Sequence, residues 1–375
     1  MTQTATAPTD FEIFLSCPPG LEALLLDEVR EAGFKGATQL PGGVTCRGGW
    51  PDVWRANLEL RGASRVLVRI GEFRAFHLAQ LDKRSRKFPW SDVLRADVPL
   101  RVETTTQKSK IYHAGAATQR IETALKESLG ATISPEASLV LKVRIDDNLV
   151  TFSVDTSGEG LHKRGHKTAV VKAPMRETMA ALLLRGCGYT GDEPVLDPMC
   201  GSGTFPIEAA EIALGLQPGR ARRFAFEDLA TYDAAACEAL RRSGPARETA
   251  QIFYGSDRDQ GAVRASTANA ERAGVAGITR FHCAPLSEVQ RPDGPPGLVM
   301  INPPYGTRIG NRKMLFALHG AMGTVLKERF SGWRVGIVTS DAGLAKATAL
   351  PFLPTQAPIA HGGLKVTLFL TDPLP

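Results

Sequence analysis

Phe11, Ile13 and Leu15 are apolar at alternate positions, the spacing of a half-buried strand. Pro18-Pro19-Gly20 breaks that pattern, and Leu21, Leu24, Leu25, Val29 and Ala32 continue at helical spacing until Gly33. The same reading gives a short strand in GGVTCRG, a helix from Pro51 running into a strand over 65–73, a strand in PLRVETTTQ and a helix from His113 to Gly130. Two further strands flank Asp146-Asp147-Asn148, whose turn residues signal a hairpin. Residues 1–158 are therefore predicted to be an α+β region with an antiparallel sheet.

Residues 159–173 turn polar and basic and read as a connector, after which Pro174 opens a helix. From there to residue 375 strands and helices alternate: EPVLDPM, TFPIEAAEIALGL, QIFYGSD, QGAVRASTANAERAG, TRFHCAP, PGLVMINPP, MLFALHGAMGTVLKERF and WRVGIVTS, closed by the strand GGLKVTLFLT. This alternation predicts a parallel, doubly wound sheet, a Rossmann-like α/β domain over 174–375.

Composition narrows the class. With 43% apolar and 22% charged residues the chain has the balance of a soluble globular protein, and no apolar run reaches membrane-spanning length. MTQTATAPTD lacks the basic and apolar segments of a signal peptide, so a disordered lead-in and a cytoplasmic protein are expected. Six scattered cysteines with no C-x-x-C pair suit a reducing compartment and argue against a bound metal. The net charge of +6 permits a nucleic-acid partner. Between Arg61 and Arg95 nine basic residues (Arg61, Arg65, Arg69, Arg74, Lys83, Arg84, Arg86, Lys87, Arg95) stand against Glu72, Asp82 and Asp92. A solvated face and a phosphate-contacting surface explain such a run equally well.

Two stretches carry the chemistry. VLDPMCGSGTFPIEAA, Val195 to Ala210, is a strand, a bare loop and a helix. Gly201 and Gly203 let backbone N–H groups approach a ligand at the carboxyl end of the strand. The loop lacks the lysine of a phosphate loop, and Pro206 stands where a dinucleotide loop has its third glycine. Asp197 suits a cationic amine, and Asp257, at the end of the next strand, suits ribose hydroxyls, with Asp259 as the alternative. A ligand with an amino-acid end and a ribose end fits S-adenosylmethionine. In LVMINPPYGTRIG, Asn302 and the Pro303 carbonyl are acceptors for both hydrogens of an exocyclic amine, and Tyr305 offers a ring to stack on its base. Taken singly, NPPY reads as a turn and Asp197 as a helix cap; together, at corresponding strand ends, they point to one site.

DPMCGSGTFPIEAA with NPPYGTRIG resembles the amino-group methyltransferases of the class I, S-adenosylmethionine-dependent type. FLSCPPGLEALLLDEV resembles the opening of THUMP-containing RNA methyltransferases. GEGLHKRGHK, APMRETMAALLL and PGRARRFAFE resemble the bacterial enzymes that make N2-methylguanosine in 23S ribosomal RNA. The resemblance spans nearly the whole chain, although NPPY alone is shared with DNA adenine methylases. It implies an N-terminal region containing a THUMP domain and a structured RNA substrate, 23S rRNA ahead of tRNA, acted on by a monomer without metal. Its cofactor residues would be Asp197, Met199, Cys200, Gly201, Gly203, Thr204 and Asp257, and its catalytic residues Asn302, Pro303 and Tyr305. Lys83, Arg84, Arg86, Lys87, His162, Lys163 and Arg164 would meet the RNA, with His162 and His166 facing RNA or simply exposed. One departure concerns the acidic residue that this class carries after the third strand. Ala284 and Pro285 stand there, leaving the role to Glu288 or to backbone groups. Three readings follow: a guanine-N2 RNA methyltransferase, a DNA adenine-N6 methyltransferase, and an RNA-binding protein with an inactive methyltransferase domain.

Overall fold

The computed structural model describes residues 10–168, 175–244, 247–304 and 312–375. The chain divides into two compact units. The first comprises residues up to Cys17, Leu26–Leu161 and Arg222–Ser243; the second comprises Pro18–Leu25, His162–Ala221 and Gly244–Pro375.

The first unit is built on β1 (Phe11–Ser16), α1 (Glu22–Glu31, whose first turn belongs to the second unit), β2 (Lys35–Leu40), β3 (Gly43–Gly48), α2 (Trp50–Glu59) and β4 (Arg65–Arg74). It continues through α3 (Leu78–Arg86), β5 (Leu100–Gln107), α4 (Ala114–Leu129), β6 (Leu139–Asp146) and β7 (Leu149–Asp155). Its sheet runs β2-β3-β1-β4-β7-β6-β5. The β1–β4 segment is a βαββαβ unit, in which β1 pairs antiparallel with both β3 and β4. The sheet is not wholly antiparallel as the strand pattern suggested. β5 and β6 pair in parallel because α4 carries the chain back across the sheet between them. Asp147 and Asn148 turn the β6–β7 hairpin with φ of 47° and 62°.

The first unit also takes in Arg222–Ser243, which sequence reading assigned to the 174–375 domain. The rings of Phe226 and Tyr232 lie 6.5 and 6.3 Å from that of Trp54 on α2. Arg222 donates to the carbonyls of Ser157, Glu159 and Gly160.

The second unit consists of α5 (Glu177–Gly186), β8 (Val195–Asp197) and α6 (Thr204–Ala213), then, past α7 (Ala234–Arg242) of the first unit, β9 (Phe253–Asp257), α8 (Gln260–Ala273), β10 (Thr279–Cys283), β11 (Leu298–Ile301), α9 (Arg312–Arg329), β12 (Arg334–Thr339), α10 (Ala342–Ala347), β13 (Ile359–His361) and β14 (Leu364–Leu370). Its sheet runs β10-β9-β8-β11-β12-β14-β13. The first five of these strands pair in parallel, and β14 and β13 close the edge antiparallel. Leu196, Val299, Ile301, Val335 and Ile337 pack with Met322, Leu326, Phe330 and Trp333 as one core that fixes the β8 and β11 ends.

One buried polar network holds the first unit's layers together. Asn57 on α2, 1% exposed, donates to the Val53 carbonyl and Thr156 Oγ1 and accepts from Ser157 Oγ at 2.7 Å. Ser157 Oγ in turn accepts from Val66 N, and Thr156 Oγ1 donates to Val66 O. Asn57→Ala removes the acceptor of the buried Ser157 hydroxyl and the donor to Thr156 Oγ1, leaving each with its Val66 bond alone. The expected loss is about 2–3 kcal/mol, read as a lowered denaturant midpoint; an unchanged midpoint would show that the network contributes nothing.

Candidate active site

β8 is the first strand of the second sheet in chain order and lies in its interior, between β9 and β11. The chain goes first to β9 and β10 on one side, then to β11 and β12 on the other. The crevice of such a sheet opens where the order reverses, at the carboxyl ends of β8 and β11. Asp197 ends β8, Asp257 ends the adjacent β9, and Asn302 follows β11 directly. The residues singled out in the sequence thus come from three neighbouring strand ends.

The loop after β8 is held by backbone and by α8. Met199 N donates to Asp197 Oδ1 at 2.9 Å, Cys200 N to the Ser256 carbonyl at 2.9 Å, and Gly201 N to Asp257 Oδ2 at 3.0 Å. Gly201 and Gly203 take φ of 53° and 84°, the left-handed region, and Gly203 caps α6 ahead of Thr204. From α8, Ser266 Oγ donates to the Gly201 carbonyl at 2.8 Å and Asn269 Nδ2 to the Ser202 carbonyl at 3.0 Å. Both side chains are fully buried. Sequence reading missed this pair; its signal was polar residues three apart on a helix whose neighbours Ala262, Ala270 and Ala273 are core.

Asp197 is buried, and burial first, then the charge of Asp257, pushes its carboxyl up to about 8. Among the described residues its hydrogen bond is to a backbone N–H and no cation offsets it. Asp257 is half-buried and accepts from Gly201 N and Asp259 N on separate oxygens, leaving each a free lone pair. Asp259 caps α8 through Gly261 N at 2.7 Å, a structural use. After β10, Ala284 N donates to the Asp257 carbonyl, and Glu288 lies exposed in a short 3-10 turn.

Asn302 Oδ1 is a buried acceptor with no hydrogen-bond partner among the described residues. Pro303, beside it, is buried. Tyr305 lies outside the described residues.

The basic residues divide. Arg164 is 2% exposed and pairs with Glu208 of α6 at 3.2 Å, so it is no surface contact for RNA. His166, expected exposed, is buried 3.8 Å from Glu211, which also takes Arg220 at 2.5 Å. Lys167 spans Glu177 Oε1 (3.0 Å) and Thr204 Oγ1 (2.8 Å). Glu177, Glu208 and Glu211 are buried, and buried carboxylates require compensating cations, which Lys167, Arg164 and Arg220 supply. Burial lowers the His166 pKa, so its ring packs there without serving as a cation. His162 is half-buried, and burial, then Arg176, lowers its pKa to about 4, leaving a neutral ring at neutral pH. Lys163 is exposed. On α3 of the first unit, Arg86 is bound to Asp82 and Glu127, whereas Lys83 and Arg84, with Lys87 at the helix end, are exposed.

Among the described residues, the site thus has a left-handed glycine loop, a buried carboxylate with no compensating cation and a buried acceptor with no partner. That donor and acceptor set fits a ligand carrying an ammonium group and ribose hydroxyls.

Comparison with known proteins agrees. A family model described as the RMKL-like methyltransferase domain matches residues 164–357, and one for the RlmL ferredoxin-like domain matches residues 12–67. The ribosomal RNA large subunit methyltransferase K/L of Allochromatium vinosum is 34% identical over 91% of this chain. The chain spans 49% of that relative's own length. A Synechocystis protein assigned as an RNA methyltransferase, slr0064, is 29% identical over 97% of both chains. The crystal structure of SMU.472 complexed with SAH is 27% identical, covers 98% of this chain and 99% of its own, and superposes with a TM-score of 0.87. The second unit has the class I methyltransferase fold, and the chain belongs to the RMKL-like methyltransferase family.

Proposed function

We propose that this protein transfers a methyl group from S-adenosylmethionine to the exocyclic N2 amine of a guanine in 23S ribosomal RNA. The observation that carries the reading is the orphaned Asn302 Oδ1 at the carboxyl end of β11, beside the glycine loop. A buried acceptor without a donor calls for one, and an exocyclic amine supplies it. SAH bound to a structure alike over nearly its whole length, and the ribosomal RNA named for the K/L relatives, support cofactor and substrate class.

When bound, S-adenosylmethionine supplies a methyl group already activated on its sulfonium. Asp197 would take the ligand's ammonium group and Asp257 its ribose hydroxyls, while Met199, Cys200, Gly201, Gly203 and Thr204 line the loop. Asn302 Oδ1 and the Pro303 carbonyl accept the two amine hydrogens and so direct the nitrogen lone pair, and Tyr305 stacks on the base. Positioning supplies the catalysis. The nitrogen loses its proton readily once methylated, so no strong base is required. The first unit, with a ferredoxin-like part over 12–67 and a THUMP domain in the remainder, would grip the RNA through Lys83, Arg84 and Lys87, with Lys163 contributing from the connector. The target guanine would be unstacked to reach the pocket, and the protein would work in the cytoplasm as a monomer.

Three measurements test this. Nucleoside mass spectrometry of 23S rRNA from a deletion strain should lose one N2-methylguanosine; loss from tRNA alone, or of N6-methyladenine from DNA, would redirect the substrate. Asn302→Ala should lower methyl transfer by about a hundredfold or more while calorimetric cofactor affinity stays nearly unchanged. The raised Asp197 carboxyl holds its proton at neutral pH, and a bound ammonium favours the ionised form. Cofactor binding should therefore release a proton, and affinity should rise as pH climbs toward about 8. Calorimetry in buffers of different ionisation enthalpy should detect that proton for the native protein and not for Asp197→Asn.

A further inference from the structure

The first unit carries a surface that methyl transfer leaves unexplained. Three connections meet at one end of its sheet: the β4–α3 link (Ala75–His77), the β5–α4 link (Lys108–His113) and the β6–β7 turn. Asn148 joins them. Its carbonyl accepts from Ala75 N, its Oδ1 accepts from Lys110 N, and its own N–H donates to Ser109 Oγ, each at 2.9 Å. Thr106 Oγ1 ties back the Tyr112 carbonyl at 2.8 Å.

These fixed loops hold large rings in solvent: Tyr112 is 82% exposed and Phe76 is 41% exposed. Cations adjoin them. Lys110 Nζ sits 5.6 Å from the Phe76 ring centre, and Lys108, with φ of 44°, and Arg74 are exposed. His77 and His113 each accept a backbone N–H through Nδ1, from Gln80 and Ala116 at 3.2 and 3.0 Å. An accepting Nδ1 fixes the tautomer, so each exposed imidazole keeps Nε2–H as a donor. The adjoining acids are Asp147, beside Arg74 at 3.8 Å, and Asp146, which pairs with Arg144 at 2.6 Å and whose charge interacts with that of Lys108. Exposed rings among ammonium groups and N–H donors match a strand of bases joined by phosphates better than an apolar protein face.

We propose that Phe76, Tyr112, Lys108 and Lys110 form a platform for an unpaired stretch of RNA. Bases stack on the two rings, and the lysines, with the imidazole N–H groups, meet the phosphates. The proposal rests on the RNA reading above and extends it to a second contact, remote in sequence from Asn302.

The test uses the full chain and fluorescence anisotropy, with a labelled single-stranded oligouridylate and an RNA duplex of equal length as probes. Tyr112→Ala and Phe76→Ala should each weaken oligouridylate binding about tenfold with unchanged melting temperature and unchanged duplex affinity. Tyr112→Phe should bind like the native protein, and Lys108→Ala with Lys110→Ala should reduce the salt dependence. Unaltered affinity in both ring variants overturns the platform, as does an equal loss for duplex and single strand. A change in sedimentation with RNA affinity intact also overturns it, by showing a contact between copies. The two readings fail separately. Ring-dependent oligouridylate binding by a native protein that methylates no RNA would sink the substrate assignment and keep the platform. Normal methylation and normal binding by Tyr112→Ala would do the reverse.

Discussion

Buried charge requires compensation, and the second unit is organised around that requirement. Helix α6 follows the glycine loop and carries Glu208 and Glu211 into the interior, and α5 carries Glu177 beside them. The segment 162–168 supplies Arg164 and Lys167 to Glu208 and Glu177, and Arg220 closes on Glu211. Arg272 completes the arrangement by donating to the His166 carbonyl at 2.7 Å and binding Asn269, the residue that holds the loop at Ser202. The basic connector is thereby part of the support of the loop. Losing one cation would leave a carboxylate buried alone, a defect of about 3–5 kcal/mol for a buried pair.

Against that background the exceptions stand out. Among the described residues Asp197 has a backbone N–H and a neighbouring carboxylate but no cation, so its proton is retained well above the usual carboxylate range. Asn302 Oδ1 has no partner among the described residues. The loop between them is shaped by close approach as well as by φ. A Cβ on Gly255 of β9 would meet Phe281 at 2.6 Å and Cys200 Sγ at 3.0 Å, so the strand beneath the loop must stay bare for the loop to lie against it.

Both chemical motifs were legible because each depends on local residue type: glycines where φ is positive, an acid at a strand end, prolines after an apolar strand. What the sequence concealed was pairing across distance. Arg164 and His166 sit in a run that looks the same whether solvated or buried, and their carboxylates lie more than forty positions on, at 208 and 211. The available signal was two glutamates inside TFPIEAAEIALGL, a helix otherwise apolar. Strand direction was hidden for a similar reason. Alternation marks β5 and β6 as strands, and only the helix between them argues for a parallel pair. The membership of Arg222–Ser243 turned on Phe226 and Tyr232 meeting Trp54, more than 170 residues earlier, which no local pattern announces.

The two open groups have a common thermodynamic meaning. A carboxylate raised by burial, and an acceptor with no donor among the described residues, each carry an unrecovered desolvation cost. On the proposed reading, an ammonium at Asp197 and an amine at Asn302 would recover that loss on binding, and groups lacking those donors would not. On that reading, selection of cofactor and target would be built into the defects themselves. The ion pairs Arg164–Glu208, Lys167–Glu177 and Arg220–Glu211 tie α5 and α6 to the segments beside the loop. Were the loop free to collapse, Asp197 would find water and Asn302 a neighbour, and the proposed basis for discrimination would be gone.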